Sequence, residues 1–355
     1  MKKYNFSAGP CILPQEVLKK ASEAVIDLNN SGLSLIEISH RSKDFIQIME
    51  NACSLVRELL EVPEGYRVLF LQGGASLQFI MAPYNLLRKE GKAGYINTGT
   101  WAEKAFKEAK KIGEVVEIVS SKDKNFNYIP KGYTIPEGLD YIHFTSNNTI
   151  FGTQFKEFPK TESLLVSDMS SDIFSRKINI SDFGLIYAGA QKNMGPAGTT
   201  LVIIKEELLG NTGRIIPSYL DYKVHIDKES MFNTPPVFAV YTSMLTLEWL
   251  KAKGGIETIE KINDEKAAVL YDEIDRNPLF EGVANKEDRS VMNVTFVLKN
   301  NEHETLFNSI WEAKGVSGIK GHRSVGGYRA SIYNGMPKKG VETLVEAMKE
   351  LERKV

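Results

Sequence analysis

Apolar side chains recur at helical spacing in two stretches near the start of the chain. Pro14 precedes the first stretch, at a position that proline favours in the first turn of a helix. The two apolar series are Val17, Leu18, Ala21, Val25 and Leu28, followed by Phe45, Met49, Cys53, Val56 and Leu60. Both series repeat every three or four residues, so they predict two amphipathic helices.

Short apolar runs bounded by turn residues follow these helices. They cover residues 68–71, 94–96, 115–118, 141–144, 164–166, 185–187 and 201–204. Helical patterns lie between some of the runs, at residues 78–88 and 101–112. Strands that alternate with helices are typical of a mainly parallel α/β sheet. Active sites on such sheets gather at the carboxyl ends of the strands.

The pattern changes after about residue 235. Long helices are predicted through Trp249 and over residues 257–276, then strands at 292–296 and 328–332 with a helix between them, and a final helix to Val355. This order favours a smaller α+β domain at the C-terminus. We therefore expect a large domain over residues 1–250, with a mainly parallel seven-stranded sheet, and a small domain over residues 251–355. We also expect the N-terminal segment to pack near the small domain.

Composition restricts the classes of partner. The 355 residues include 44 basic and 45 acidic side chains, which give a net charge of −1, so neither nucleic acid nor an anionic membrane surface is expected as a partner. Cys11 and Cys53 are the two cysteines, too few for a disulfide framework, and reduced thiols are expected. No apolar run approaches the roughly 20 residues of a membrane span, and no export signal is evident. We expect a cytoplasmic protein.

The densest candidate for chemistry surrounds Lys192. Residues 187–198 read Tyr-Ala-Gly-Ala-Gln-Lys-Asn-Met-Gly-Pro-Ala-Gly and follow an apolar run. Small neighbours leave room for a bulky planar group on the lysine. A Schiff base needs the neutral amine, which desolvation or a nearby cation favours. Taken alone, the pattern also fits a solvated loop lysine beside structural glycines.

Asp168 strengthens this interpretation of Lys192. It ends the predicted strand that precedes the strand leading to Lys192. If these strands are adjacent, the two side chains lie at the same end of the sheet. A carboxylate that faces the ring nitrogen of pyridoxal phosphate keeps this nitrogen protonated, which the cofactor requires as an electron sink. Taken alone, Asp168 also fits a turn or a helix cap.

Two further motifs suit an anionic ligand. Gln72-Gly73-Gly74-Ala75-Ser76 joins a predicted strand to a helix, where backbone N–H groups and the helix dipole favour a phosphate. It matches neither the dinucleotide nor the nucleoside-triphosphate fingerprint. The chain also has two His-Arg pairs, His40-Arg41 and His322-Arg323, with Arg329 after the second. Arginine suits bidentate binding of carboxylate or phosphate, although ordinary surface charge explains each pair equally well.

No metal site is expected. The five histidines are His40, His143, His225, His303 and His322. They are scattered along the chain and show none of the spacings that are typical of metal ligands.

Several motifs together resemble the phosphoserine aminotransferase family of class V aminotransferases, in order and over essentially the whole chain. They are Ser7-Ala8-Gly9-Pro10, Ile38-Ser39-His40-Arg41-Ser42, residues 188–198, residues 230–236 (Ser-Met-Phe-Asn-Thr-Pro-Pro), Lys320-Gly321-His322-Arg323 and residues 327–334 (Gly-Tyr-Arg-Ala-Ser-Ile-Tyr-Asn). The resemblance implies a fold-type-I enzyme that depends on pyridoxal 5′-phosphate and works as a homodimer.

The resemblance also implies a role for each site residue. Lys192 would bind the cofactor as a Schiff base, Asp168 would face the ring nitrogen, Trp101 would stack on the ring and Thr149 would bind the ring hydroxyl. Ala75, Ser76 and Gln191 would hold the cofactor phosphate, with Asn233 and Thr234 reaching in from the other subunit. Arg329 would bind the substrate α-carboxylate. His40 and Arg41, with His322 of the partner subunit and Arg323 of the partner subunit, would bind the phosphate or side-chain carboxylate.

The implied reaction is a ping-pong transamination in serine biosynthesis. Glutamate gives 2-oxoglutarate, and 3-phosphooxypyruvate then gives O-phospho-L-serine, with Lys192 moving the α-proton. The family also acts on 4-phosphooxy-threonine in vitamin B6 biosynthesis. Two departures from the family pattern stand out. Ser76 replaces an arginine that is common after Gly-Gly-Ala, and residues 147–152 around Thr149 match only in part.

The sequence also fits three other functions. An alanine–glyoxylate or serine–pyruvate aminotransferase has the same chemistry but less use for two His-Arg pairs. A cysteine desulfurase needs a catalytic cysteine on a mobile loop, whereas Cys11 and Cys53 both occur early and Cys53 lies on a helix face. A non-enzymatic α/β binding protein would not need Lys192.

Overall fold

The computed structural model describes residues 3–323 and 325–355. In chain order, its α-helices are α1 (Gln15–Ile26), α2 (Lys43–Leu59), α3 (Gly74–Leu86), α4 (Thr100–Ala109), α5 (Tyr222–Asp227), α6 (Val237–Ala252), α7 (Gly255–Arg276), α8 (Glu304–Ala313) and α9 (Lys338–Lys354). Its strands are β1 (Tyr4–Asn5), β2 (Tyr66–Leu71), β3 (Lys92–Asn97), β4 (Glu114–Ser120), β5 (Tyr141–Thr145), β6 (Asn147–Asn148), β7 (Thr153–Gln154), β8 (Leu165–Asp168), β9 (Phe183–Gly189), β10 (Thr200–Lys205), β11 (Phe280–Gly282), β12 (Asn293–Leu298), β13 (Val316–Ser317) and β14 (Tyr328–Ser331). Short 3-10 turns occur at Lys122–Lys124, Ile180–Asp182, Glu206–Leu208, Ser218–Leu220, Lys286–Asp288 and Asn301–His303.

One seven-stranded sheet contains all seven of the apolar runs that the sequence identifies as strands. Its order is β2-β10-β9-β8-β5-β3-β4. Every pairing is parallel except that β10 runs antiparallel to both β2 and β9. The predicted fold class, a mainly parallel seven-stranded α/β sheet with a smaller α+β unit, is confirmed.

Both faces of this sheet are covered, which explains why its strands read as continuous apolar runs. Successive side chains enter different cores: Phe70, Ile186 and Ile203 face one cluster, while their neighbours Leu69 and Leu185 face another. Helices α1, α2 and α6 contribute to the first cluster. Helices α3 and α4 contribute to the second.

The regular strand–helix alternation holds for a shorter stretch than the sequence suggests. In the described residues, the crossovers from β5 to β8 and from β8 to β9 contain only short strands and 3-10 turns. Their polar side chains bond to neighbouring loops instead of forming helices; Asn147, for example, donates to Ser171 Oγ (2.8 Å). These irregular crossovers lie at the carboxyl ends of β5 and β8, beside the candidate active site.

A separate antiparallel sheet, in the order β11-β12-β14, supports the C-terminal core. Helices α7, α8 and α9 bury apolar side chains against it, and Phe6 and Ile12 from the N-terminus join the same cluster. Strand β1 pairs in parallel with β13, with Tyr4 opposite Val316. Residue 250 lies inside α6, so the division at residues 250 and 251 stays a prediction. None of the described helices is long and apolar enough to span a membrane.

Candidate active site

The two central candidate residues lie at one edge of the large sheet. Asp168 is the last residue of β8, and it pairs in register with Thr145 of β5 and Tyr187 of β9. Lys192 lies in the turn that follows Gly189, the last residue of β9. Because β8 and β9 are adjacent and parallel, their carboxyl ends bring Asp168 and Lys192 to the same edge.

Lys192 is half-buried and its amine has a defined partner. Its Nζ donates to the Thr149 hydroxyl oxygen at 2.8 Å. Burial lowers the pKa of Lys192 to about 8; the negative charge of Asp168 opposes this shift, and the positive charge of Arg329 adds to it. A substantial fraction of the amine is therefore neutral near physiological pH, as a nucleophilic or proton-accepting lysine requires.

Asp168 is buried, with 4% of its surface exposed. Its Oδ1 accepts a hydrogen bond from the Ser170 backbone N–H (2.9 Å), and the Ser170 hydroxyl oxygen accepts one from the Gly189 N–H (3.1 Å). Burial raises the pKa of the Asp168 carboxyl, while Lys192 and the Ser170 hydrogen bonds lower it. Ser170 thus links the ends of β8 and β9 and orients the carboxylate.

A second buried acid, Asp172, lies four residues beyond Asp168, in the turn that follows β8. It accepts hydrogen bonds from the Ser146 hydroxyl, from Gln154 Nε2 (3.2 Å) and from Arg176 Nη2 (3.3 Å). The Arg176 guanidinium is itself largely buried and neutralises this carboxylate. Asp168, in contrast, has Lys192 as its main cationic neighbour.

The Gly73-Gly74 turn leads into helix α3. Both glycines have positive φ angles, +86° and +62°, which glycine adopts without steric cost. Helix α3 begins at Gly74 with no side-chain cap, and Ala75 and Ser76 lie in its first turn. Backbone N–H groups at such a helix start are suited to an anion.

Asn233 and Thr234 lie next to this turn within the same chain. Gln72 Oε1 accepts from Asn233 Nδ2 (3.1 Å) and from the Tyr219 hydroxyl (2.8 Å), and Gln72 Nε2 donates to the Thr234 carbonyl. Gln191 lies beside Lys192, and its carbonyl accepts from the Cys11 N–H (3.1 Å).

Several buried polar atoms near the carboxyl ends of the strands lack a hydrogen-bond partner among the described residues. Trp101 Nε1 at the start of α4, Thr98 Oγ1 after β3, Thr145 Oγ1 at the end of β5 and Arg329 Nε on β14 are such atoms. An unsatisfied buried group costs about 1–3 kcal/mol. Such a group of atoms is expected where a polar ligand completes the hydrogen bonding.

The second His-Arg pair and Arg329 are neighbours in this chain. Burial lowers the pKa of His322, and the charges of Arg329, Arg323 and Lys104 lower it further. No hydrogen bond or ion pair in residues 3–323 and 325–355 joins His40 or Arg41 to Lys192 or Arg329.

Comparison with known proteins identifies the family. The profile of the class V aminotransferase family matches residues 3–344. This chain belongs to the class V aminotransferase family. It is 65% identical to the phosphoserine aminotransferase of Flavobacterium johnsoniae, over 100% of both chains.

Two solved structures extend the comparison. A phosphoserine aminotransferase studied for radiation damage of its Schiff base is 46% identical, with a TM-score of 0.97 over 100% of both chains. A PLP-bound phosphoserine aminotransferase from Trichomonas vaginalis is 37% identical, with a TM-score of 0.93 over 98% of this chain and 100% of the other.

Sequence reasoning missed several residues that shape the site of this class V aminotransferase. Ser170 donates a hydrogen bond to Asp168, and Ser146 donates one to the neighbouring acid Asp172. Lys104 places its Nζ 4.4 Å from the centre of the Trp101 ring. The Gln72 contacts join distant segments and have no local signature.

Proposed function

We propose that this class V aminotransferase uses pyridoxal 5′-phosphate to transfer the amino group of glutamate to 3-phosphooxypyruvate, which gives 2-oxoglutarate and O-phospho-L-serine. One observation carries the proposal: a half-buried Lys192 amine with a lowered pKa lies at the same strand edge as the buried Asp168 carboxylate. The 65% identical relative over the full length supports the choice of substrate class.

The residues present fit the cofactor. When bound, pyridoxal phosphate supplies an electron sink for the charge that develops when the substrate loses its α-proton. Asp168 would keep the ring nitrogen protonated, Trp101 would lie against the ring and Thr149 would face the ring hydroxyl. Ala75 and Ser76 at the uncapped start of α3, together with Gln191, would hold the phosphate. The orphaned polar atoms around this edge support a polar occupant.

Lys192 performs the proton transfer in this proposal. Its amine would hold the cofactor, and the same amine would take up the α-proton of the substrate and return it to the product. Its pKa of about 8 is near the operating pH, where general acid–base catalysis is most effective.

Both proposed substrates carry an anion at each end, which explains why one site needs two basic groups. Arg329 would bind the α-carboxylate, because its partly buried guanidinium lies close enough to Lys192 to lower the amine's pKa. His40 and Arg41, with His322 of the partner subunit and Arg323 of the partner subunit, would bind the far phosphate or carboxylate. Alanine, serine and glyoxylate have no second anion for these groups.

We further propose that the protein works as a homodimer in which Asn233 and Thr234 reach the cofactor phosphate of the other subunit. Phe232 and Phe238 lie on either side of this segment in the sequence, and in the single chain they are 41% and 38% exposed. Exposed apolar groups of this size favour burial against another protein surface.

The division into domains at residues 1–250 and 251–355 and a cytoplasmic location are also part of the proposal. The separate C-terminal apolar core supports the division. Phosphorylated three-carbon substrates support the location, because such multiply charged metabolites do not cross a bilayer unaided.

A cysteine desulfurase is disfavoured by the thiols themselves. Cys11 donates its S–H to the Lys192 carbonyl, and burial raises the pKa of both Cys11 and Cys53 to about 12. Neither thiol is therefore a ready nucleophile near neutral pH.

A coupled assay tests the function directly. The purified, cofactor-loaded protein is given phosphoserine, serine, alanine or aspartate as amino donor to 2-oxoglutarate. We expect phosphoserine to show the highest kcat/KM, since only it matches both basic groups in size and charge. Aspartate controls for a second anion that lacks the phosphate. A preference for serine or alanine over phosphoserine would overturn the proposal in favour of an alanine–glyoxylate or serine–pyruvate type.

A further inference from the structure

Lys266 is a fully buried lysine that lies outside the residues given a catalytic role. It belongs to α7 and has 0% of its surface exposed. Its Nζ donates to the backbone carbonyls of Ile332 and Tyr333 (2.8 Å each) and of Met336 (3.2 Å). Lys266 forms no salt bridge within the part of the chain that the structure describes.

A side chain of this kind is costly to bury, so simple packing does not explain it. Burial lowers the pKa of Lys266 to about 7, which reflects the free-energy cost of its charge in this position. An ammonium has three N–H donors, and the three carbonyls match them one to one. An apolar residue would fill the space at lower cost but would remove the Lys266 donor from all three carbonyls, and the Tyr333 carbonyl would keep only the Met336 N–H.

The loop that Lys266 holds is directly connected to Arg329. Residues 332–336 follow β14, which carries Arg329. Asn334 of this loop is also tied to α7, because Asn263 Nδ2 donates to Asn334 Oδ1 (2.9 Å). The position of the loop therefore depends on two polar side chains of α7.

The same loop is also connected to Lys192. The Asn334 backbone N–H donates to Asn193 Oδ1 (2.9 Å), and Asn193 is the residue after Lys192. Asn193 Nδ2 donates to the Ile173 carbonyl (2.9 Å), and Asn334 Nδ2 donates to the Phe174 carbonyl (2.9 Å). All of these side chains are buried. We call Lys266, Asn263, Asn334 and Asn193 the buried bridge.

We infer that Lys266 is a positioning residue that, through the buried bridge, fixes Arg329 relative to Lys192 and thereby sets the binding of the substrate α-carboxylate. The inference rests on the proposed function only in that Arg329 binds an α-carboxylate, which every amino acid has. It does not depend on the preference for phosphoserine.

The test compares Lys266→Met with the wild type, as cofactor-loaded protein. Methionine keeps the length and loses the donors. The first two measurements are KM and kcat, determined for glutamate and for the weak substrate alanine and expressed per cofactor-loaded site. The third is the pH at which the cofactor absorbance near 400 nm has changed by half. Lys338→Met is the matched control, because Lys338 begins α9 just after this loop and forms an exposed pair with Glu265, the neighbour of Lys266 on α7.

We expect Lys266→Met to raise KM for both donors by the same factor, about tenfold, with a smaller change in kcat. A tenfold change corresponds to about 1.4 kcal/mol. The absorbance midpoint should move to higher pH, because the charge of Arg329 helps to lower the pKa of Lys192. Lys338→Met should match the wild type in all three measurements.

Two results would overturn the inference. One is a lower melting temperature with unchanged KM and absorbance midpoint, which is what a purely structural role predicts. The other is a rise in KM for glutamate but not for alanine, since the α-carboxylate is common to both. If Lys266→Met does not fold, Asn193→Ala at the other end of the bridge carries the same expectation, and an unchanged KM there overturns it equally. If the wild type shows no preference for phosphoserine, the proposed function is wrong, but the inference about Lys266 is not affected.

Discussion

Asp168 and Lys192 leave adjacent parallel strands at the same edge of the sheet, and each changes the proton affinity of the other. Asp168 raises the pKa of Lys192 and Lys192 lowers that of Asp168, while burial acts in the opposite direction on both. Burial has the larger effect on both groups, so the pKa of the Asp168 carboxyl is raised although a cation is near, and the pKa of the Lys192 amine is lowered although an anion is near.

Asp168→Asn should retain part of the cofactor but lose rate by orders of magnitude. The amide cannot keep the ring nitrogen protonated, so the electron sink is weakened. Single-turnover kinetics of the cofactor-loaded variant measures the loss directly. Asp172→Asn is the matched control: Arg176 already neutralises Asp172, so this change should reduce stability more than rate. Near-normal turnover in Asp168→Asn would refute the role of Asp168.

Lys192 should make the cofactor-free protein more stable at alkaline pH. Its pKa is about 8 in the folded protein and near 10.4 in the unfolded chain, so between these values the unfolded state binds more protons. Raising the pH through this window therefore favours folding, by up to roughly 3 kcal/mol. Thermal melts at pH 7.5 and 10 would measure it in the wild type and in Lys192→Met.

Only the difference between these two proteins is informative, because other groups titrate in the same window. We expect the wild type to gain stability relative to Lys192→Met as the pH rises. A difference that stays constant with pH would show that the Lys192 pKa is not lowered.

Mixed dimers should show whether Asn233 and Thr234 act across subunits. A Lys192→Ala chain and an Asn233→Ala, Thr234→Ala chain should each be inactive. After subunit exchange, one site of the heterodimer combines an intact lysine with an intact partner segment, so part of the activity should return. If the segment instead serves its own chain, as its contacts with Gln72 would allow, no activity returns. Exchange is verified with differently tagged chains.

The sequence predicted the large sheet well because its strands are apolar on both faces. Each run, such as residues 201–204, has few alternatives to a buried strand, and all seven lie in the sheet. The helix-free crossovers after β5 and β8 were not anticipated, since their polar residues find hydrogen-bond partners only in the folded chain. The structure brings Lys192 next to Thr149 and Asp168, while the roles given to these residues stay predictions.

Other parts of the site depend on long-range pairing that no local pattern encodes. Gln72 contacts Asn233 across 161 positions, and Lys266 contacts Ile332 across 66. Lys266 lies in a helix that the sequence did predict, but nothing in its neighbourhood distinguishes a buried lysine from a solvent-facing one. Its three acceptors are backbone carbonyls, which carry no side-chain signal at all.

Substitutions of Arg329 and Arg323 should affect different sets of substrates, because each arginine is proposed to bind a different end of the substrate. Arg329 should matter for every amino acid, because each has an α-carboxylate, whereas Arg323 should matter only when the far end is also anionic. Losing one charge-assisted hydrogen bond costs about 1.5–3 kcal/mol, roughly ten- to more than a hundredfold in binding. Arg323→Ala should therefore raise KM for phosphoserine and glutamate but barely alter the weak turnover of alanine, while Arg329→Ala impairs all three.

Comparing substrates within one variant controls for general damage to the fold. If Arg323→Ala depresses alanine and phosphoserine turnover equally, the His-Arg pair is structural, and the preference for a doubly anionic substrate must arise elsewhere.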